Sequence, residues 1–229
     1  MKYQFFGDTH GETHWKDLLD TSCVQVFLGD YFSPYKLWTQ TDCLNNFLEI
    51  LELKKNKPET VLLYGNHDFD ILYTEGYSRL DFKNIKFNRQ LFQENSDKFQ
   101  IAFSVGDYLV THAGVSTFWK ELYLPDICNT PKDIATAINN LWLSMKSTPF
   151  DFNSNCAPHD NYGYSPTHGP LWIRWDTLRK CNVFKDLPYK QIVGHTLDRD
   201  FKYSPDPINW NLICIDCMAY QPKSLILEI

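Results

Sequence analysis

Long apolar runs are missing from this 229-residue sequence, and none approaches the roughly 18 residues of a membrane-spanning helix. The opening Met1-Lys2-Tyr3-Gln4 turns polar too early for a secretory signal. An excess of positive charge is missing as well. Twenty-two Lys and Arg face 28 Asp and Glu, a net charge of −6, whereas a broad nucleic-acid footprint needs clustered cations. A disulfide framework is also lacking. The seven cysteines, an odd count, are scattered over positions 23, 43, 128, 156, 181, 214 and 217, and in a chain this long they read as reduced thiols of a cytoplasmic protein. No repeat, low-complexity stretch or linker divides the chain. What is present, 43% apolar and 22% charged residues, suits a globular protein and excludes disorder. The expectation is one soluble α/β domain over residues 1–229, a cytoplasmic monomer that enters no membrane and binds no extended nucleic acid.

The first seventy residues alternate strand and helix. Tyr3 to Phe6, Val24 to Leu28 and Thr60 to Tyr64 read as apolar strands. Between the last two, Leu44, Phe47, Leu48 and Leu51 recur at helical spacing, and Lys54-Lys55-Asn56-Lys57-Pro58 ends that helix. A helix over Asn88 to Phe99 comes next. Gln100 to Val105 and Tyr108 to His112 form a hairpin turning at Gly106-Asp107. Thr130-Pro131-Lys132-Asp133 starts another helix, with Thr as N-cap and Pro at its first position. Residues 147–170, rich in Pro, Asn, Asp, Gly and Ser, read as a long active-site loop. Gln191 to Val193, Leu212 to Ile215 and Ser224 to Ile229 read as closing strands.

The chemistry-bearing residues stand immediately after strands. Gly7-Asp8-Thr9-His10-Gly11, Gly29-Asp30-Tyr31 and Gly65-Asn66-His67-Asp68 follow the first three. Thr111-His112-Ala113-Gly114 ends the hairpin, and Gly194-His195-Thr196 ends the strand at 191. Ligands of open α/β sheets gather beyond the strand C-terminal ends, so five such turns point to one site. Two carboxylates, one amide and three imidazoles with no thiolate suit Mn²⁺, Fe or Zn²⁺ and disfavour Fe–S clusters and Cu(I). A carboxylate can bridge two ions about 3.5–4 Å apart. Two divalent cations outweigh Asp8 and Asp30 in charge, so an acidic protein still attracts a phosphate there. Cys214-x-x-Cys217 has zinc-ligand spacing but lies in a strand without a second pair, and reads as core packing.

In this order the motifs GDTHG, GD, GNHD, HAG and GHT resemble the calcineurin-like metallophosphoesterase superfamily. HAG followed by Leu171-Trp172-Ile173-Arg174 and then GHT is most similar to its phosphoprotein phosphatase branch. Bacterial-type serine/threonine phosphatases and symmetrical bis(5′-nucleosyl)-tetraphosphatases belong there. The resemblance spans residues 7–196. It implies a two-sheet β-sandwich flanked by helices and a centre of two divalent ions, with Mn²⁺ taken first and Fe or Zn²⁺ as alternatives. Asp8 and His10 would hold one ion, Asn66, His112 and His195 the other, and Asp30 both. His67 matches the general acid for the leaving group. Arg174 matches an arginine that grips phosphoryl oxygens, a task its planar fork suits. The alternative for Arg174 is a surface arginine stacked between Trp172 and Trp175.

One motif departs from the branch. Where Asp-x-x-Asp-Arg-Gly is usual, the chain reads Asp30-Tyr31-Phe32-Ser33-Pro34-Tyr35. Ser33 stands where a carboxylate would orient His67, and Pro34 where an arginine would grip phosphate. Asp68 or Asp70 is an alternative orienting acid. Tyr31, Phe32 and Tyr35 are candidates for stacking on a base, with core packing as the equal alternative. His168, with His159 and Asp160, is a candidate substrate contact in the long loop. The expected function is a metal-dependent phosphoesterase in which a hydroxide between the ions attacks phosphorus and His67 protonates the departing oxygen. General-acid catalysis is worth ~10²–10⁴ in rate, most for an alkoxide and least for a phosphate leaving group. Its weakening favours nucleotide and dinucleoside polyphosphate anhydrides over phosphoserine. Other phosphorylated small molecules and phosphoproteins remain candidate substrates. The alternatives are a serine/threonine protein phosphatase, a metal-dependent phosphodiesterase or nuclease, and a non-catalytic metal-binding scaffold for a protein partner.

Overall fold

Among the described residues the chain forms ten strands: β1 (Lys2–Phe6), β2 (Val24–Phe27), β3 (Val61–Leu63), β4 (Phe99–Gln100), β5 (Ala102–Val105), β6 (Tyr108–Thr111), β7 (Lys190–Val193), β8 (Lys202–Ser204), β9 (Leu212–Cys214) and β10 (Leu225–Glu228). The computed structural model describes residues 1–35, 39–73, 79, 81–145, 147–153, 160 and 162–229. Two compact units result, one of Met1–Gln100 with Cys217–Ile229 and one of Ile101–Asp216. Each holds one five-stranded sheet, so the mixed α/β, two-sheet architecture expected from the sequence is the one observed.

In the first unit the order is β10-β1-β2-β3-β4, with β1 to β4 parallel and β10 antiparallel on β1. The inner strands are mostly apolar because a parallel sheet is covered on both faces, and the two buried glutamines among them, Gln4 and Gln25, spend their side-chain N–H groups on main-chain carbonyls. Register places Phe6 beside Phe27 and Phe27 beside Leu62, so the three strands end side by side. The helix Gln40–Asn56 opens on a capping box, with Thr39 Oγ1 accepting from Asp42 N–H and Asp42 accepting from Thr39 N–H. Its buried stripe is Cys43, Asn46, Phe47, Ile50 and Leu51, whereas Leu48, expected inward, is exposed. Asn46 turns the stripe because its side-chain oxygen accepts from the Trp15 indole at 2.8 Å. A ring cluster fills the core of this unit. Phe92 lies 4.9 Å from Phe47, 5.5 Å from Phe99, 5.8 Å from Phe32 and 6.0 Å from Tyr64.

The helix expected over Asn88 to Phe99 runs instead over Ile85–Glu94, because Phe99 is taken by β4, opposite Leu62. The run expected as one strand from Gln100 to Val105 belongs to two sheets. It breaks at Ile101, where Asn139 Oδ1 accepts the N–H of Ile101 and Ala102.

The second unit has the order β5-β6-β7-β9-β8. The hairpin turns at Gly106-Asp107 as expected, with Val105 opposite Tyr108. Strands β6, β7 and β9 are parallel neighbours, and β8 closes one edge. Helix Pro131–Met145 starts at Thr130, whose hydroxyl accepts from Asp133 N–H. The expected loop 147–170 contains a 3₁₀ turn at Thr148–Phe150 and runs into a short helix, Gly169–Trp172. His159 lies outside the described residues. Sequence reading did not find helices Thr117–Tyr123 and Trp175–Cys181. Cys214 and Cys217 are buried thiols. Among the described residues no helix is long and apolar enough to cross a membrane.

Phe92 is the hub of the ring cluster, so Phe92→Ala is expected to cost about 3–5 kcal/mol of unfolding free energy, read from urea denaturation. A loss below about 1 kcal/mol would mean that the cluster repacks.

Candidate metal centre and active site

Adjacent parallel strands carry the first group of polar residues. Asp8 and His10 follow β1, Asp30 follows β2, and Asn66 opens the helix Asn66–Tyr73 after β3. The turns are stitched together. His10 N–H donates to Asp30 O at 2.7 Å, and His67 N–H donates to Asp30 Oδ1 at 2.9 Å. His10 and Asp30 adopt left-handed backbone angles, φ 44° and 55°. Non-glycine residues hold such angles only where surrounding bonds enforce them. Asp68 supplies that enforcement. Its Oδ2 accepts the N–H of Asp30 and of Gly65, both at 2.8 Å, and its Oδ1 accepts that of Tyr31 at 3.2 Å. Burial pushes the Asp68 carboxyl up to about 6, against the pull of those backbone donors. Gly29 and Gly65 permit the close approach. A Cβ on Gly29 would meet the Gly65 backbone, and one on Gly65 would meet the Asp30 carboxylate.

Asp8, His10, Asp30 and Asn66 are all buried, each less than 5% exposed. His10 Nδ1 lies 2.7 Å from the Phe32 carbonyl, an acceptor only, so that nitrogen carries the proton. Burial, aided by the nearby Arg79 charge, lowers the His10 pKa to about 4, so the ring is neutral and Nε2 bears a lone pair. Nε2 faces Asp30 Oδ2 at 3.5 Å and Asp8 Oδ2 at 4.0 Å. His67 Nε2 lies 3.9 Å from the same Asp30 oxygen, and the His67 ring stands edge-on to His10 at 4.9 Å. Acceptor atoms converging in this way repel one another unless a cation lies among them, and the His10, Asp30 and His67 ligand atoms are near enough together to share one. The residues present therefore fit a divalent ion. A carbonyl that fixes the far nitrogen of a ligating histidine is the usual companion of such a site.

In the second unit His112 follows β6 and His195 follows β7, with ring centroids 5.1 Å apart. Gly194 N–H donates to His112 O at 2.7 Å. His195, at φ 64°, sets Nε2 3.0 Å from the Trp172 carbonyl, which places its proton there and its lone pair on Nδ1. Arg174 caps the helix Trp175–Cys181. Its Nε donates to Tyr162 O and its Nη1 to His195 O, both at 3.0 Å. Two of five guanidinium N–H groups are used in this way, leaving a fixed fork with donors to spare.

The candidate substrate contacts fall differently. Tyr31 and Phe32 are fully buried in the ring cluster, and the Tyr31 hydroxyl donates to Leu63 O at 3.0 Å. Packing, the alternative weighed for them, is what their side chains do. Tyr35 lies 4.4 Å from the His10 ring, beside the centre. His168 is fully buried and stacks on Phe152 at 4.4 Å. Asp68 spends its oxygens on backbone N–H groups, and Asp70 is buried. Sequence reading missed Arg79. Its guanidinium lies 4.2 Å from the centroid of the Tyr35 ring and donates to Ser33 O at 3.0 Å, while Ser33 Oγ donates to Arg79 O at 2.5 Å. No local motif marks it, because the pairing spans 46 positions.

The family model for calcineurin-like phosphoesterases matches residues 1–199. Among solved structures the chain is similar to the cold-active protein-tyrosine phosphatase of a psychrophile, Shewanella sp., at 18% identity and a TM-score of 0.65, covering 99% of this chain and 75% of that one. It is also similar to a protein serine/threonine phosphatase from Saccharomyces cerevisiae with similarity to human phosphatase PP5, at 15% identity and a TM-score of 0.56, covering 97% and 70%. At these identities the likeness shows a shared fold. Among curated proteins no sequence matches.

Asp68→Asn places an N–H₂ group against backbone N–H donors. It is expected to cost about 1–3 kcal/mol of stability and to weaken any divalent-ion binding through the displaced Asp30, as measured by urea denaturation and titration calorimetry. Wild-type values in both would show that Asp68 does not hold the turn.

Proposed function

The chain belongs to the calcineurin-like phosphoesterase family, and from that membership we propose a hydrolase of phosphoric esters or anhydrides that works with two divalent metal ions. The observation that carries this reading is the His10 lone pair directed at two buried carboxylates, an arrangement a cation satisfies. Asp8 and His10 would hold one ion, Asn66, His112 and His195 the other, and Asp30 both. The family model runs through both units, which supports one functional domain over residues 1–229. Mn²⁺ is the proposed ion, and the same oxygen and nitrogen donors accept Fe or Zn²⁺. A cytoplasmic monomer remains the proposed setting.

When bound, such ions supply Lewis-acid stabilisation of the charge that develops on phosphoryl oxygens. The chain's own residues supply orientation and a proton. The His67 side chain is 13% exposed, against 2% for His10, so its ring is the one able to meet a leaving oxygen. Arg174 presents its remaining N–H donors to phosphoryl oxygens. The finer part of the proposal is a preference for nucleotide or dinucleoside polyphosphate anhydrides. Two features support it. Ser33 bonds to Arg79 O, and Asp68 to backbone, so neither gives His67 an orienting carboxylate. An alkoxide leaving group needs that assistance most. Arg79 also brings positive charge beside Tyr35 and His10, where a phosphoryl group beyond the reacting one can use it.

A panel with Mn²⁺, assayed with and without chelator, tests the reading: a chromogenic phosphate ester, a nucleoside triphosphate, a dinucleoside polyphosphate and a phosphoserine peptide. Chelator-sensitive turnover is expected, with anhydrides at least about tenfold above phosphopeptide in kcat/KM, one tenfold step being about 1.4 kcal/mol of barrier. A tenfold preference for the phosphopeptide would make it a protein phosphatase instead. No turnover of any phosphate compound would favour the scaffold reading.

Elemental analysis is expected to find two ions per chain in the wild type and fewer in Asp30→Asn. One tightly bound ion that is indifferent to Asp30→Asn would contradict the shared-ligand role.

A further inference from the structure

The loop that follows residue 160 holds Arg174 in place. Arg174 N–H donates to Gly163 O at 2.9 Å, and its Nε donates to Tyr162 O at 3.0 Å. Both carbonyls belong to a turn that has little secondary structure of its own. What fixes the turn is Asp160, whose side chain is only 9% exposed. Its Oδ1 accepts the N–H of Tyr162 at 2.9 Å and of Gly163 at 3.1 Å, and its Oδ2 accepts that of Ser165. Gly163 sits at φ +86°, where a Cβ would strike the Trp172 carbonyl, so the turn is tight.

A buried, neutral ring backs Asp160, one whose nitrogens make no hydrogen bond to the described residues and whose pKa burial lowers. His168 Nδ1 lies 3.4 Å from Asp160 Oδ2, and the His168 ring, fully buried, stacks on Phe152 at 4.4 Å and 23°. Burial works against the charged form of Asp160, yet the backbone donors of the turn hold its carboxyl below its usual range. A carboxylate kept ionised inside a loop and surrounded by N–H groups is a stiff joint. The order of contacts is Phe152, His168, Asp160, the carbonyls of Tyr162 and Gly163, then Arg174.

We propose that Asp160 is a positioning residue: through those two carbonyls it sets the Arg174 guanidinium for a phosphoryl group, with the buried His168 ring packed behind it. The proposal rests on the reading of Arg174 as the phosphate-gripping arginine. Arg174 touches the ligand and Asp160 does not. An arginine fork fixed before the ligand arrives loses less freedom on binding, so slackening the turn weakens phosphate capture.

The test compares wild type, Asp160→Ala, Asp160→Asn, Arg174→Ala and the Asp160→Ala/Arg174→Ala double variant, all full-length, loaded with Mn²⁺ for binding and turnover and with diamagnetic Zn²⁺ for NMR. Inorganic phosphate binding is measured by calorimetry, KM and kcat with a chromogenic ester, and the exchange protection of the Arg174 Nε–H by NMR. Asp160→Ala is expected to weaken phosphate binding about tenfold, the scale of one charge-assisted hydrogen bond. KM should rise more than kcat falls, and the Nε–H should lose protection. Asp160→Asn keeps one acceptor oxygen and should fall between. In the Arg174→Ala background Asp160→Ala should add nothing, since the two act as one unit. Wild-type phosphate affinity with a protected Nε–H in a folded Asp160 variant overturns the proposal, as does full additivity in the double variant. If Arg174→Ala binds phosphate as wild type does, the phosphate-gripping reading of Arg174 is what fails. The Nε–H signal then still decides whether Asp160 holds the guanidinium.

Discussion

Three backbone N–H groups converge on the Asp68 carboxylate, and the candidate centre of the first unit depends on them. They tie the turn after β2 to the turn after β3. Without that tie Asp30 would have no reason to remain in a left-handed conformation that costs a non-glycine residue about 1–3 kcal/mol. Asp30 in turn receives His67 N–H on one carboxylate oxygen and faces His10 and His67 with the other. Gly29 and Gly65 serve the same end, since a side chain at either would push the two turns apart. The residue that looks most like an acid in waiting is thus a structural fastener, raised in pKa by burial yet bonded as a carboxylate.

His10 in the first unit and His195 in the second follow one rule. A main-chain carbonyl fixes one ring nitrogen, Phe32 O for His10 and Trp172 O for His195, and the other nitrogen is thereby left as the donor of a lone pair. A carbonyl cannot give a proton back, so the tautomer is set by the fold and not by solvent. Left-handed backbone angles at His10, Asp30 and His195 show how much local strain is concentrated at these turns. Strain of this kind is tolerable because each turn ends a buried parallel strand that cannot move easily.

The departure at Ser33 and Pro34 has a structural counterpart. Ser33 exchanges two hydrogen bonds with Arg79, and Arg79 covers the Tyr35 ring that stands beside His10. Positive charge therefore reaches the neighbourhood of the centre from a different part of the chain. Meanwhile Tyr31 and Phe32, which follow Asp30 in sequence, turn into the ring cluster with Phe47 and Phe92. Over four residues after β2 the chain thus gives Asp30 and Ser33 to polar contacts and the two residues between them to packing.

The sequence by itself determined the candidate ligand types, their order and their attachment to strand ends. Each motif is a short string in which glycine, a ligand and an apolar strand are covalent neighbours. The hairpin at Gly106-Asp107 and the cap at Thr130 were legible for the same reason. Tertiary structure alone decided the rest. Leu48 faces solvent because Trp15 draws Asn46 inward, and Phe99 leaves its expected helix because Leu62 pairs with it. Asp68 reaches Asp30 across 38 positions, and Ser33 reaches Arg79 across 46. Asp160 acts on Arg174 only through the shape of a turn. Hydrogen bonds and ring contacts between distant residues depend on which groups the folded chain brings within about 3–5 Å, and no local pattern of residue types encodes that distance.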